Sequence, residues 1–157
     1  MSVRTCDQCA ALTTRGERCK NRTCVVGPYC WLHTKVDKGF IVKASTIPNA
    51  GKGLFASKEF KKGEEIGQYT GDKLTRNQAE AIPDAQGAYI LCHIDECVDA
   101  RRTNSTPLRY MNDPRGTGKR SNARFVASNR FAVRTTKKVK KGEELLVEYG
   151  RRYWENR

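Results

Sequence analysis

At 157 residues the chain has room for one compact domain and a small appendage, because single domains most often run to about 100–150 residues. Thirty Lys and Arg against 17 Asp and Glu leave a net charge of +13, which points to a polyanionic neighbour such as nucleic acid or chromatin. The opening residues carry no apolar run of a secretory leader, and no segment approaches the roughly 18 apolar residues of a membrane span. The expectation is an intracellular protein, not secreted and without a membrane partner. Seven cysteines, five of them within the first 30 residues, suit metal ligation in a reducing compartment better than a disulfide framework.

The first 36 residues form the expected appendage. Cys6, Cys9, Cys19, Cys24, Cys30 and His33 are separated by Thr, Arg, Gly and Lys rather than by a hydrophobic repeat, so nothing there builds a core unaided. A Zn²⁺ ion held by thiolates and an imidazole would supply the folding free energy directly. Cys30 and His33 have a knuckle-like spacing that lets both reach one ion. The phrases C-A-A-L-T-T-R-G-E-R-C and Y-C-W-L-H also resemble a short Cys/His module frequent in large DNA viruses. That resemblance selects Cys9, Cys19, Cys30 and His33, with Cys6 and Cys24 as spare ligands and Cys24 as an alternative to Cys9. Arg15, Arg18, Lys20 and Arg22 make the module basic, either a docking piece for nucleic acid or an acidic protein face, or a structural cap.

From Asp37 onward the pattern turns to short strands. Phe40 to Lys43 reads as a strand, and Pro48 to Gly53 as a glycine-punctuated turn before Leu54-Phe55-Ala56. Glycines at Gly51 and Gly53 let backbone approach a ligand closely. Thr75 is placed to cap a helix running to Ile82, stopped by Pro83. Ala88 to Cys92 then reads as extended, and Cys92 and Cys97, on adjacent strand edges around His93, read as buried free thiols rather than a second metal site. The phrase K-K-G-E-E occurs twice, at Lys61 to Glu65 and Lys140 to Glu144. Each copy starts a strand, and the second, Glu144 to Tyr149, ends on a tyrosine and a glycine.

Five pieces in order, G-K-G-L-F-A at Gly51 to Ala56, I-G-Q-Y-T-G at Ile66 to Gly71, V-D-A-R at Val98 to Arg101, R-Y-M-N-D at Arg109 to Asp113 and S-N-A-R-F with G-E-E-L-L-V-E-Y-G from Ser121 to Gly150, resemble a SET domain. Many members of that family are S-adenosylmethionine-dependent protein-lysine methyltransferases. The resemblance implies a mainly β fold of several small sheets with a threaded C-terminal segment, at residues 37–150, between the zinc module at 1–36 and an aromatic and basic flank at 151–157. It implies that Lys52, Gly53 and Leu54 hold the amino-acid end of S-adenosylmethionine. Tyr89, Arg109, Asn112, Asp113, Tyr149 and Trp154 complete the cofactor site, and Tyr69, Tyr89 and Tyr149 line a lysine channel. Trp154 would close over the adenine and Tyr153 would narrow the channel.

The chemistry expected is displacement at a sulfonium methyl by a neutral lysine amine. Alignment is its main lever, worth roughly 7–11 kcal/mol. The amine, with a free pKa of about 10.4, loses its proton more readily in an aromatic channel beside a cation. Tyr149 is expected to orient the reacting groups without any Asp or Glu as general base. Two departures stand out: the family's N-H-S reads Asn112-Asp113-Pro114, and no cysteine follows. The residue two before the catalytic tyrosine, Val147, leaves open how many methyl groups are added, as the sequence leaves open the oligomeric state. The expected substrate is a histone tail, in the nucleus or on chromatin, with Asp95, Glu96 and Asp99 facing the peptide and the Arg134 to Lys141 run docking on DNA. The alternatives are methylation of a non-histone protein, or an inactive basic zinc-bearing protein that binds nucleic acid or chromatin.

Overall fold

The computed structural model describes residues 6–23, 29–102, 105–126, 128 and 131–155; Cys24, one of the alternative ligands, lies outside them. In chain order the N-terminal region holds β1 (Asp7–Gln8), β2 (Arg22–Thr23) and α1 (Trp31–His33), which runs into a π-helical turn at Thr34–Lys38. There follow β3 (Phe40–Ala44), β4 (Lys52–Ala56), β5 (Glu65–Gln68), β6 (Asp72–Thr75) and α2 (Arg76–Glu80). A 3₁₀ turn at Asp84–Tyr89 leads to β7 (Ile90–His93) and β8 (Glu96–Asp99), and a second at Pro107–Tyr110 to β9 (Ala123–Phe125), β10 (Ala132–Thr135) and α3 (Arg151–Glu155). Among the described residues, no helix is long and apolar enough to cross a membrane.

The strands pair in four small antiparallel sheets, β1-β2, β3-β4, β5-β10-β9 and β6-β8-β7. The fold is therefore mainly β, as the sequence implies. The N-terminal residues Cys9, Ala11, Cys19 and Cys30 form a small cluster of their own, while the three sheets after Lys38 contribute buried apolar residues to one centre. That centre holds Phe40, Leu54, Phe60, Leu108, Met111, Val133, Val139 and Leu145, each at most 2% exposed. The π-helical turn crosses the boundary expected after Val36, and Ser57 Oγ donates to the Lys35 carbonyl at 2.6 Å, so the appendage is tied to the end of β4.

Local chemistry explains the turns. Thr75 accepts from Gln78 N while the Gln78 side chain accepts from Thr75 N, a reciprocal cap that starts α2. The helix ends at Glu80, short of the expected Ile82. In each K-K-G-E-E phrase the first lysine amide donates to the first glutamate carboxylate at 2.7 Å, Lys61 to Glu64 and Lys140 to Glu143. Gly63 and Gly142 supply the positive φ, 80° and 91°. The repeated words are the same turn made twice.

The stretch after the second turn is not the regular strand expected from the sequence. Glu144 bridges Phe55, Leu146 bridges Asn112 and Val147 bridges Ala123, each as an isolated pair. Leu146 and Val147 lie between the two limbs of the loop that joins Asn112 to Ala123, so the C-terminal segment is threaded through that loop. A segment that changes partner every one or two residues cannot build a ladder with any of them. Its main-chain groups are nonetheless satisfied: Leu145 N donates to Leu54 O at 2.7 Å and Val147 N to Asn112 O at 3.0 Å. The Asn122 side chain brackets the same passage, donating to Glu144 O and accepting from Leu146 N.

Two further expectations change. Tyr89 ends a 3₁₀ turn rather than lying in a strand, because Pro83 starts the turn and the extended run begins only at Ile90. Cys92 and Cys97 are not free thiols; they face each other directly across the β7-β8 hairpin, 4.1 Å apart at Cα, and form a disulfide. Adjacent strand edges become directly opposed positions once the hairpin closes over two residues. Cys6 is also disulfide-bonded.

Candidate functional site

Glu144 fixes the floor of the site. Its carboxylate, 8% exposed, accepts from Ser45 Oγ at 2.5 Å, Thr46 N at 2.8 Å and Thr46 Oγ1 at 2.5 Å. The loop after β3 is thereby folded back onto the threaded segment. Asn112 Nδ2 completes the junction by donating to Lys52 O at 2.9 Å and Ser45 Oγ at 3.1 Å. Gly53 is needed here because a Cβ at that position would run into the Glu144 carboxylate. The missing Cβ makes room for that carboxylate.

Above this floor lies a cavity of about 650 Å³. Lys52, Tyr89, Arg109, Asn112, Asp113, Tyr149 and Trp154 all line it, together with residues 47–51 and 115–117. Gly53 and Leu54 do not: the first lies under Glu144, and the second is fully buried in the core. The amide nitrogen of Asn112 is committed to the loop, so its contribution to the cavity is chiefly architectural.

A second, narrow cavity of about 50 Å³ adjoins the first and shares Ala88, Arg109, Tyr149 and Tyr153 with it. Tyr69, Ile90, Leu91, Leu108, Met111, Phe125 and Val147 complete its wall. Tyr69 donates to the Tyr89 carbonyl at 2.9 Å, and its ring meets Phe125 edge-on at 6.0 Å. Tyr149 donates to the Met111 carbonyl at 2.6 Å. Burial pushes both phenols above their ordinary pKa; the Arg109 charge opposes this at Tyr69, and neighbouring tyrosines add to it at Tyr149. Both hydroxyls therefore stay protonated at neutral pH and offer oxygen lone pairs rather than a phenolate. Arg109 is 8% exposed, lies 3.9 Å from the centroid of the Tyr89 ring, and donates to the carbonyls of Ala100 and Arg101.

At the far side, α3 packs its aromatic residues against Tyr149. The Tyr149 and Tyr153 rings are 4.6 Å apart, and Trp154 stacks over Tyr149 at 6.2 Å with an interplanar angle of 21°. Asp113 accepts from the amides of Arg115 and Tyr149 and from the Trp154 indole.

The N-terminal cluster is a separate centre. The ligand atoms of Cys9, Cys19, Cys30 and His33 all lie within 4.8 Å of one another. The two sulfur-to-Nδ1 distances to His33 are 3.6 Å from Cys9 and 3.3 Å from Cys30. A tetrahedral zinc with the usual Zn–S and Zn–N lengths would place S and N about 3.6 Å apart, so the donor set is compatible with that ion. Burial would raise the Cys30 thiol, but hydrogen bonds from His33, Asn21 and Cys9 lower it to about 6. Cys6 is excluded from the cluster by its disulfide.

Residues 51–150 match the SET domain, and the chain belongs to that family. Among individual proteins it is similar to the histone-lysine N-methyltransferase set-17 of Caenorhabditis elegans, 30% identical over 119 residues, covering 73% of this chain and 42% of that protein. It is also similar to the N-lysine methyltransferase KMT5A-A of Danio rerio, 27% identical over 129 residues, covering 74% and 37%. The chain thus spans less than half the length of these curated relatives. A structure of ctPRC2 in an autoinhibited conformation bound to S-adenosylmethionine shares the fold with a TM-score of 0.60 at 22% identity, over 71% of this chain and 15% of that one.

The structure thus gathers Tyr69, Tyr89, Tyr149, Arg109, Asn112, Asp113 and Trp154 around one pair of cavities. Asp99 is not available to a peptide: it is 5% exposed and bonded to the Arg101 side chain at 2.7 Å. Sequence reasoning missed Ser45, Thr46 and Glu144 as the loop clamp, and Phe125 as a channel wall. Phe125 stands in a quoted motif and its aromaticity was a usable signal; nothing local distinguishes Glu144 from the exposed Glu65 in the same phrase.

Glu144 carries a pH signature. Burial would raise its carboxyl, but the donors of Ser45, Thr46 and Asn112 hold it below the usual value. Its stabilisation is present above the unfolded value of about 4.3 and is lost as pH falls through the lower folded value. Urea unfolding from about pH 6 to about pH 3 should therefore show a shallower acid loss in Glu144→Gln than in the wild type. Equal slopes would remove Glu144 from this role.

Proposed function

We propose that this chain is a protein-lysine N-methyltransferase using S-adenosylmethionine, with a histone tail as its substrate. The observation that carries the reading is Tyr149, whose hydroxyl donates to the Met111 carbonyl, on the wall common to a wide cavity and a narrow aromatic one. Bound in the wide cavity, lined by Lys52, Arg109, Asn112, Asp113 and Trp154, the cofactor supplies a methyl group on a cationic sulfur. The narrow cavity admits an unbranched side chain and strips its amine of water. Tyr69, Tyr149 and Phe125 enforce that desolvation, and the Arg109 charge adds like-sign repulsion, so the neutral amine is favoured over the ammonium. The Tyr149 oxygen then orients the lone pair, and alignment does most of the work. Relatives named as lysine methyltransferases support the reaction class, and one named for histones supports the substrate. Mass spectrometry of a histone mixture should show added methyl groups with the wild type and at least an approximately 100-fold lower rate with Tyr149→Phe. Methylation confined to non-histone proteins would change the substrate; calorimetry without cofactor heat would overturn the reaction.

The Cys9, Cys19, Cys30 and His33 set is proposed to hold a structural Zn²⁺. Three thiolates and one imidazole nitrogen satisfy a closed tetrahedral site and leave no open position for catalysis. Elemental analysis should return one zinc per chain for the wild type and none for Cys19→Ser; zinc retained in that variant would rule the site out.

A polyanionic partner, the phosphate backbone of nucleosomal DNA, is proposed for a groove of about 680 Å³ beside the site, bordered by Arg115, Lys119, Arg120 and Arg151. Among the described residues these four cations make no ion pair, whereas Arg134 and Lys138 of the run expected to contact DNA are paired with Glu65 and Glu59. The log–log salt dependence of duplex DNA binding should flatten by about 1 for each charge removed in Arg120→Ala and Arg151→Ala. An unchanged slope would move the contact elsewhere.

A further inference from the structure

Asp113 stands where the family resemblance places a histidine, and its surroundings give that exchange a purpose. The side chain is 8% exposed. One carboxylate oxygen accepts from Arg115 N at 2.8 Å; the other accepts from Tyr149 N at 2.9 Å and from Trp154 Nε1 at 3.0 Å. Three donors converge, from the loop, from the end of the threaded segment and from α3. Only an acceptor-only group with two oxygens takes all three, since a neutral imidazole offers a single acceptor nitrogen and a donor besides. Trp154 is also held from its faces, by Tyr149, by Tyr153 edge-on at 5.0 Å and by Arg115 at 5.5 Å. The indole N–H adds a directional bond in the plane of the ring.

We propose that Asp113 is a positioning residue whose carboxylate latches Trp154 and the Tyr149 main chain together, turning α3 into a fixed wall of the wide cavity. This rests on the reading of that cavity as the cofactor site. The aspartate is then not a defect in a cofactor contact; it couples the flank to the phenol. α3 has only five residues, and helices shorter than about 12–15 residues are marginal in water by themselves. Without the latch the wall has little to keep it in place.

The test uses the full chain and calorimetry with S-adenosylmethionine. Asp113→His restores the family residue: a latch predicts about tenfold or greater weakening, charge-assisted hydrogen bonds being strong ones, whereas a merely impaired contact predicts tighter binding. Asp113→Asn keeps an oxygen for Tyr149 N and Trp154 Nε1 and should recover most of the affinity. Trp154→Phe keeps the ring stack and removes the N–H; it should raise KM for the cofactor with little change in kcat, and should cost nothing further when added to Asp113→His. In a Trp31→Phe background, Trp154 emission in Asp113→His should become more accessible to a neutral quencher without any cofactor. Tighter binding by Asp113→His, additive losses in the double variant, or unchanged quenching would each overturn the latch. No binding by the wild type would overturn the cofactor reading while the quenching experiment still judges the latch.

Discussion

Everything in the structure turns on the passage of Glu144 to Tyr149 between the two limbs of the loop from Asn112 to Ala123. Leu145 and Val147 anchor it in the core, and its main chain exchanges partners with Leu54, Asn112, Asn122 and Ala123 in turn. Through Phe55 and Ala123 the segment joins the β3-β4 sheet to the β5-β10-β9 sheet. It also carries the residues that matter to either side: a carboxylate that pins the loop after β3 and a phenol that divides two cavities. Stability and site geometry therefore share the same few residues.

Two of the three buried acids among the described residues, Glu144 and Asp113, organise the site in a strongly basic chain. Glu144 collects the donors of Ser45, Thr46 and Asn112, and Asp113 collects those of Arg115, Tyr149 and Trp154. Among the described residues, neither is paired with a lysine or arginine head group. Each instead accepts directional bonds, which are strong when the acceptor is ionised and which fix angles that an ion pair would leave loose. Between them stand neutral aromatic rings, so the interior of the site contains few groups that change charge near neutral pH.

The family, the mainly β architecture and the aromatic and polar residues Tyr69, Tyr89, Arg109, Asn112, Asp113, Tyr149 and Trp154 around the cavities were legible in the sequence because they sit in short ordered motifs or beside them. Local chemistry was legible too: Thr75, Gly63 and Gly142 do what their residue types require. What stayed hidden depends on long-range placement. The C-terminal strand dissolved into single bridges because threading denies it a neighbour of matching length. The Leu54 side chain packs in the core, and Gly53 leaves room for Glu144, neither of which its motif announces. Asp99 turned inward to Arg101, and Cys92 met Cys97, through pairings that no composition argument supplies. Glu144 and Glu65 occupy equivalent places in one repeated phrase, and only the fold decides that one is buried and the other exposed.

The loop that encircles the C-terminal segment also dictates an order of events. Its limbs are closed by contacts with residues that come later in the chain, and pairings such as Phe55 with Glu144 span most of the domain. A polypeptide emerging in sequence order cannot complete either cavity until its last quarter has been inserted, since distant pairings are slow to form. Chains that stop short of that segment should thus lack both cavities, because Val147 and Tyr149 are part of their walls.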